Sequence, residues 1–159
     1  AALVNGGLLI SPTFLKRSEA EAVALATRVI KPETSEKMRY LLRLNVEKGT
    51  AARAEVDGYY VGGKTGTSEK VVRGHYSHDK LLSVFMGVFP CDAPAYLVLV
   101  MVDEPKNSGE EKGHATAGLN AAPTTGKIIA RIAPMLGVKP RRDLPAADHL
   151  ILASRRIAN

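Results

Sequence analysis

The chain has 159 residues, 45% hydrophobic and 24% charged, with 14 Gly and 9 Pro, which excludes a disordered tail, a collagen and a coiled coil and fits one globular domain. At this length roughly 68–70% of the unfolded surface can be buried, so a core needs no disulfide, and the single Cys91 cannot form an internal one. Twenty-two Lys and Arg against sixteen Asp and Glu give a net charge of +6; this favours anionic partners, but not nucleic acid, because the three Phe and five Tyr are not interleaved with the basic residues and no zinc-finger spacing occurs.

Ala1 to Gly7 read as the last turn of a helix closing on Asn5-Gly6-Gly7. With no initiator Met, that leads to the expectation that the chain continues a longer one. Leu8 to Ile10 and Phe14-Leu15, around Ser11-Pro12, suggest a short edge strand interrupted by proline. Pro32, then Met38, Leu41, Leu42 and Val46 at helical spacing with Gly49 at the stop, predict an amphipathic helix over about 33–48. Gly49 to Ala52 form a loop, and Tyr59-Tyr60-Val61 open a strand carried through the glycines to about Thr67.

Residues 71–80 are polar enough for a turn. Leu81 to Phe89 and Tyr96 to Val102 follow as strands and complete an antiparallel meander. Because Pro90, Asp92 and Pro94 break this most apolar stretch, it reads as a hairpin and not a membrane span. Ile128, Ile132 and Leu136, with Ile129 and Ala133 beside them, define one face of a helix ending at Gly137; Pro123 lies near its first turn and Thr116 is its candidate cap. Glycines 109, 113 and 118 fit a loop before it. Residues 138–159, with Arg141, Arg142, Arg155 and Arg156, read as a basic C-terminal extension of a main unit over 1–137. The class is α+β, an antiparallel sheet covered by at least two helices.

The sharpest motif is Gly58-Tyr59-Tyr60-Val61-Gly62-Gly63-Lys64-Thr65-Gly66-Thr67. Its first eight residues satisfy the P-loop pattern, but a P-loop needs an apolar strand before the first glycine and a helix at the lysine. Here the preceding run is polar and Gly66 breaks the helix. The second reading is a strand bordering a cleft. Lys64 and Gly66 then share one face, Thr65 and Thr67 the other, and Gly66 leaves room for a substrate backbone. A cation, two hydroxyls and edge N–H groups could bind a carboxylate and supply an oxyanion donor.

Gly63-Lys64-Thr65-Gly66-Thr67 resembles the Lys-Thr-Gly motif of penicillin-binding proteins and serine β-lactamases. Together with Asn5-Gly6-Gly7, Gly49-Thr50-Ala51, Lys64 to Lys70 and Val102-Asp103-Glu104-Pro105, it is similar to the C-terminal part of the transpeptidase domain of class B penicillin-binding proteins. Within that class it looks most like the cell-division enzymes called penicillin-binding protein 3. The family's other two motifs, Ser-x-x-Lys and Ser-x-Asn, are not matched: no Ser-x-Asn occurs, and the one Ser-x-x-Lys, Ser77 to Lys80, follows the motif strand instead of preceding it.

The resemblance implies a peptidoglycan D,D-transpeptidase acting through a serine acyl-enzyme, with the nucleophile before Ala1. It makes Lys64 the catalytic cation and gives the ligand carboxylate to the Thr65 and Thr67 hydroxyls, with Gly66 beside the substrate. The Thr67 N–H becomes an oxyanion donor, and Tyr76 forms a wall of the cleft. It implies no metal or organic cofactor. The partners it implies are stem peptides, β-lactams and divisome membrane proteins, at the periplasmic face of the inner membrane.

His75 and His78, with Asp79 beside them, find no further ligand at metal spacing and read as a polar turn. Cys91 has no activating partner in the sequence. Two other functions remain open at this stage: a non-catalytic binding module that keeps the sheet, and a P-loop nucleotide enzyme.

Overall fold

The computed structural model describes residues 1–106 and 115–147. Ala1 to Gly7 form a tight turn in which the Asn5 and Gly7 N–H groups donate to Ala1 O (3.2 Å) and Ala2 O (3.1 Å). It ends on Gly6 and Gly7, both left-handed, at φ 85° and 91°. β1 (Leu8–Leu9) pairs antiparallel with β2 (Thr27–Arg28), and α1 (Glu19–Ala24) lies between them. α1 starts at a capping box: Ser18 Oγ accepts from the Glu21 N–H, and Glu21 Oε2 accepts from the Ser18 N–H.

α2 (Pro32–Lys48) carries proline at its first turn and stops at Gly49, as the spacing predicts. Its buried stripe is Ser35, Leu42, Arg43 and Val46. Leu41, expected on that stripe, is 51% exposed, because polar groups with fixed partners take the inward positions. Ser35 Oγ accepts from the Gly6 N–H (3.0 Å) and donates to Leu3 O (2.9 Å). Arg43 donates to both oxygens of Glu55 (2.6 and 2.9 Å), to Glu47 (2.8 Å) and to Val61 O (2.8 Å), with its guanidinium 4.4 Å from the centre of the Tyr60 ring. Burial works against that charge, but Glu55 and Glu47 outweigh it and hold the guanidinium above its ordinary pKa.

After a 3-10 turn (Ala52–Ala54), the chain turns at Gly58, where Tyr59 N–H bonds Val56 O and Val61 N–H bonds Tyr59 O. That local bonding delays β3 (Gly62–Val72) until three residues after Tyr59. β4 (His75–Phe89) begins well before Leu81. The polar stretch expected as a turn is therefore a two-stranded ribbon, polar because water covers both its faces, and it reverses at Arg73-Gly74 with φ 52° and 84°. β5 (Tyr96–Asp103) completes a sheet of order β3-β4-β5. α3 (Ala121–Met135) follows. Its cap is Asn120 rather than Thr116: Asn120 Oδ1 accepts from the Ala121 N–H at 2.6 Å.

α3 packs on the sheet face made by Phe85, Phe89, Val98, Val100 and Val102. Complete burial of Phe85 contributes about 1.5–3 kcal/mol. The buried face of α3 centres on Ala122, Gly126, Ile129 and Ala133, whereas Leu136 is 41% exposed. The small residues decide this rotation, since a Cβ on Gly126 would lie 3.2 Å from Ala54 O.

Residues 138–147 do not trail away. Arg141 N–H donates to Gly58 O (2.6 Å), Tyr60 Oη donates to Pro145 O (3.1 Å), and Ala147 N–H donates to Glu47 Oε2 (2.8 Å). Arg142 pairs with Asp57 and Arg141 with Asp92. The expected basic extension is thus a strap across the back of α2 and the Gly58 turn, and its part after residue 147 lies outside the described residues.

Gly63, inside the motif strand, is packed too closely for a side chain. A Cβ there would meet the Phe85 ring and come within 2.6 Å of Met86 O on the paired strand. Gly63→Ala should cost about 1–3 kcal/mol, read as a lower urea midpoint at unchanged m-value.

Candidate active site

β3 is the outer strand of the sheet, hydrogen-bonded to β4 on one side. On its other side Gly63 O accepts from Asn45 Nδ2 (2.8 Å) and Thr65 O from Lys64 Nζ (2.7 Å). An antiparallel ladder alternates which residues point their N–H and C=O outward, so Gly63, Thr65 and Thr67 all present theirs to this edge. Lys64 sits inside a strand with no helix starting at it, which overturns the P-loop alternative.

Thr65 and Thr67 stand opposite Phe85 and Ser83 in the register and share their face, and Lys64 stands on the other face. The lysine nevertheless bends around the edge, placing Nζ 3.3 Å from Thr65 Oγ1 as well as on the Thr65 carbonyl. Cation and hydroxyls therefore meet at one rim. Thr65 Oγ1 lies 2.9 Å from Thr50 Oγ1, and Thr50 Oγ1 donates to Asn45 Oδ1 at 3.3 Å. Thr67 Oγ1 accepts from the Ala117 N–H (3.0 Å). Behind it, Ser83 Oγ donates to Ala115 O (3.0 Å), and a Cβ on Gly118 would approach Thr50 O to 2.6 Å. A Cβ at Gly66 would find nothing nearer than Val84 at 4.0 Å, so the strand is open beside the motif.

Asn45 and Ala117 carry no motif in the sequence, and Thr50 belongs only to Gly49-Thr50-Ala51, where a loop hydroxyl just past the end of α2 is the available signal.

Tyr76 does not join this cluster. It is 73% exposed and pairs with Val71, four residues past Thr67 and so roughly 13 Å along the strand. Ser77 lies on the same ribbon and not at the head of a buried helix. His78 contacts Glu69, and His114 lies outside the described residues. Cys91 is buried, donates to Arg39 O, and has its thiol pushed up to about 12 chiefly by burial. That leaves it protonated and inert.

The ribbon is anchored by charge. At its base the register passes from Glu69↔Leu81 to Lys70↔Ser77, extruding His78 to Lys80 from β4. Lys70 Nζ spans the gap to Asp103 (2.9 Å) and Glu104 (2.9 Å) at the end of β5. Hydrogen bonds to these carboxylates, Asp103 first, raise the lysine's pKa, and the Lys70 ammonium holds the Glu104 carboxyl below its usual range.

The antiparallel meander, with Lys64 to Thr67 on its open edge and α3 behind it, matches known transpeptidase domains in sequence and in fold. Residues 1–130 match the penicillin binding protein transpeptidase domain, and the chain belongs to that family. It is 40% identical over 153 residues to the probable peptidoglycan D,D-transpeptidase FtsI of Caulobacter vibrioides, covering 90% of this chain and 26% of that protein. To the stage V sporulation protein D of Bacillus subtilis it is 39% identical, covering 90% of this chain and 23% of the relative. The transpeptidase domain of Burkholderia pseudomallei penicillin-binding protein 3 superposes with a TM-score of 0.75 at 33% identity, over 91% of this chain and 41% of that structure. Mycobacterium tuberculosis penicillin-binding protein 3, solved with ampicillin, gives 0.69 at 26% identity, over 92% and 35%. The chain spans about a quarter of the length of these two curated relatives.

Lys70→Met should loosen the ribbon and speed tryptic cleavage after Arg73 severalfold at neutral pH. Because the Glu104 carboxyl is lowered in the folded state, the clamp is present above the ordinary glutamate range and is lost as pH falls through the lowered value. An acid-stable protease should therefore cut variant and parent alike at low pH.

Proposed function

We propose that this chain forms one wall of the acyl-transfer cleft of a peptidoglycan D,D-transpeptidase, with the serine nucleophile and its lysine on a segment before Ala1. The observation that carries the reading is Lys64 to Thr67 on an open strand edge, in a chain of the transpeptidase family. The nucleophile attacks the stem-peptide carbonyl, the terminal residue leaves, and the ester is resolved by the amine of a second stem peptide or by water. Lys64 stabilises developing charge and exchanges protons with the Ser-x-Asn serine. The ligand carboxylate is held at the Lys64–Thr67 rim beside Gly66, the Thr67 N–H donates to the oxyanion, and Tyr76 overhangs the cleft from the ribbon.

Septal wall synthesis, divisome membrane partners and a periplasmic position at the inner membrane complete the proposal, and rest on likeness to the cell-division class. No helix of the described residues is long and apolar enough to cross a membrane, so the anchor is assigned to another part of the polypeptide. β-Lactams are expected ligands by the same likeness.

Penicillin labelling of the full-length polypeptide, followed by peptide mass mapping, tests the reading. An adduct on a serine before Ala1 is expected. An adduct on Ser77 relocates the nucleophile, and no adduct sinks the enzyme in favour of a binding module. Lys64→Ala should abolish labelling while circular dichroism stays native. Thr67→Pro, which removes the oxyanion N–H, should cost about 10²–10³ in acylation rate.

A further inference from the structure

We propose that the strap over 138–147 is a positioning element of the acyl-transfer site: it holds Glu47 and Tyr60 around Arg43, and so fixes the path by which the chain enters β3 and reaches the Lys64–Thr67 rim. The inference rests on the transpeptidase reading and extends it to residues past the matched 1–130 segment.

Residues 57–61 lead into β3 but lie ahead of its ladder. Their backbone is held by the isolated Val56–Tyr59 bridge, by the Val61 N–H on Tyr59 O (2.7 Å) and by the Cys91 N–H on Tyr60 O (2.6 Å). The strap meets this stretch at three further places. Arg142 pairs with Asp57 (2.7 Å), the Arg141 N–H donates to Gly58 O (2.6 Å), and Tyr60 Oη donates to Pro145 O (3.1 Å). Gly58 is bare where the strap crosses it, since a Cβ there would lie 2.9 Å from Pro140 Cβ. Beside these points the strap borders a cavity of about 710 Å³, lined in part by Arg43, Glu47, Tyr60 and Leu144, so its hold is concentrated at discrete bonds.

That hold is passed on through Arg43. The Glu47 side chain is only 11% exposed, and its two oxygens are divided. Oε1 accepts from Arg43 Nε (2.8 Å), and Oε2 accepts from the N–H of Ala147 (2.8 Å), a residue that is itself fully buried. A carboxylate held at both oxygens is fixed in its orientation toward the guanidinium. The Tyr60 ring lies 4.4 Å from the same guanidinium while its hydroxyl is tied to the strap. Arg43 is therefore flanked by two groups that the strap fixes, and its Nη1 donates to Val61 O (2.8 Å), three residues before Lys64. A misplacement of roughly 1 Å, even one arising far from the reacting atoms, can slow a reaction about 10²-fold.

The test is acylation of the full-length enzyme by benzylpenicillin, resolved into a binding constant and a limiting rate per acylated site, at a temperature well below unfolding. Ending the chain after Val138 removes the strap and should lower the limiting rate about tenfold at an unchanged binding constant. Ending it after Ala147 keeps the strap and should give the parental rate. Tyr60→Phe keeps the ring over Arg43 and loses only the bond to Pro145. It should slow the limiting rate about threefold in the whole chain and add nothing in the chain ended after Val138. The proposal is overturned if Tyr60→Phe acylates at the parental limiting rate, a result that decides even where the chain ended after Val138 does not fold. It is also overturned if that shortened chain melts earlier yet acylates at the parental rate, as a merely structural strap would, or if ending the chain after Ala147 slows acylation as much. A parent that is not acylated at all defeats the transpeptidase reading first and this inference with it, whereas an acylated parent with an indifferent Tyr60→Phe defeats this inference alone.

Discussion

Everything at the rim depends on how closely α2 approaches the start of β3, and one absent side chain sets that distance. A Cβ on Gly62 would overlap Cys91 Sγ and lie 3.2 Å from the Arg43 backbone nitrogen, whereas the bareness of Gly63 makes room for Phe85 of the paired strand. With Gly62 bare, the helix lies near enough for a side chain as short as asparagine to reach Gly63 O, and for Arg43 to reach Val61 O. Steric exclusion thus places α2 against the strand, and hydrogen bonds on either side of Gly62 hold it there.

The close approach carries an electrostatic cost that the fold meets locally. Arg43 is only 8% exposed and would be unstable unpaired. Glu47, one turn further along α2, and Glu55, past the 3-10 turn, both converge on it, and the Tyr60 ring covers its face. The same guanidinium therefore fixes α2, the 3-10 turn and the entrance to β3 relative to one another. Lys64 and Thr65 begin only two residues later, on backbone whose path has already been set.

The sequence made the meander, the two longer helices and the motif strand legible, because each carries a strong local signal: Pro32 and Gly49 around a helix, β-branched runs around Pro90 and Pro94, Gly137 after α3. Elements governed by hydrogen bonds instead of apolar pattern were not legible. α1 buries no side chain, and only the Ser18–Glu21 spacing announces it. Polarity suggested a turn over 71–80, yet a ribbon wet on both faces is also polar. The inward face of α3 is not the one its bulky residues suggest, because alanine and glycine make the closest contacts. At the rim, Lys64, Thr65 and Thr67 could be read from their motif. Asn45 and Ala117 could not, since they lie 19 or more residues from Lys64 and act through an amide and a backbone N–H.

The strap over 138–147 is fastened differently from the rest of the molecule. The core is held by burial, which added salt does not weaken. Part of the strap's grip comes from ion pairs, the most open being Arg142 with Asp57, 73% and 80% exposed. Such pairs are screened over roughly 8 Å at physiological ionic strength and over shorter distances in brine. The backbone bond from Arg141 to Gly58 has no such sensitivity. The strap over 138–147 is thus a seam whose grip partly follows the ionic strength of its surroundings, whereas the hydroxyl and amide bonds that join Asn45, Thr50 and Thr67 to their neighbours at the rim involve no ion pair.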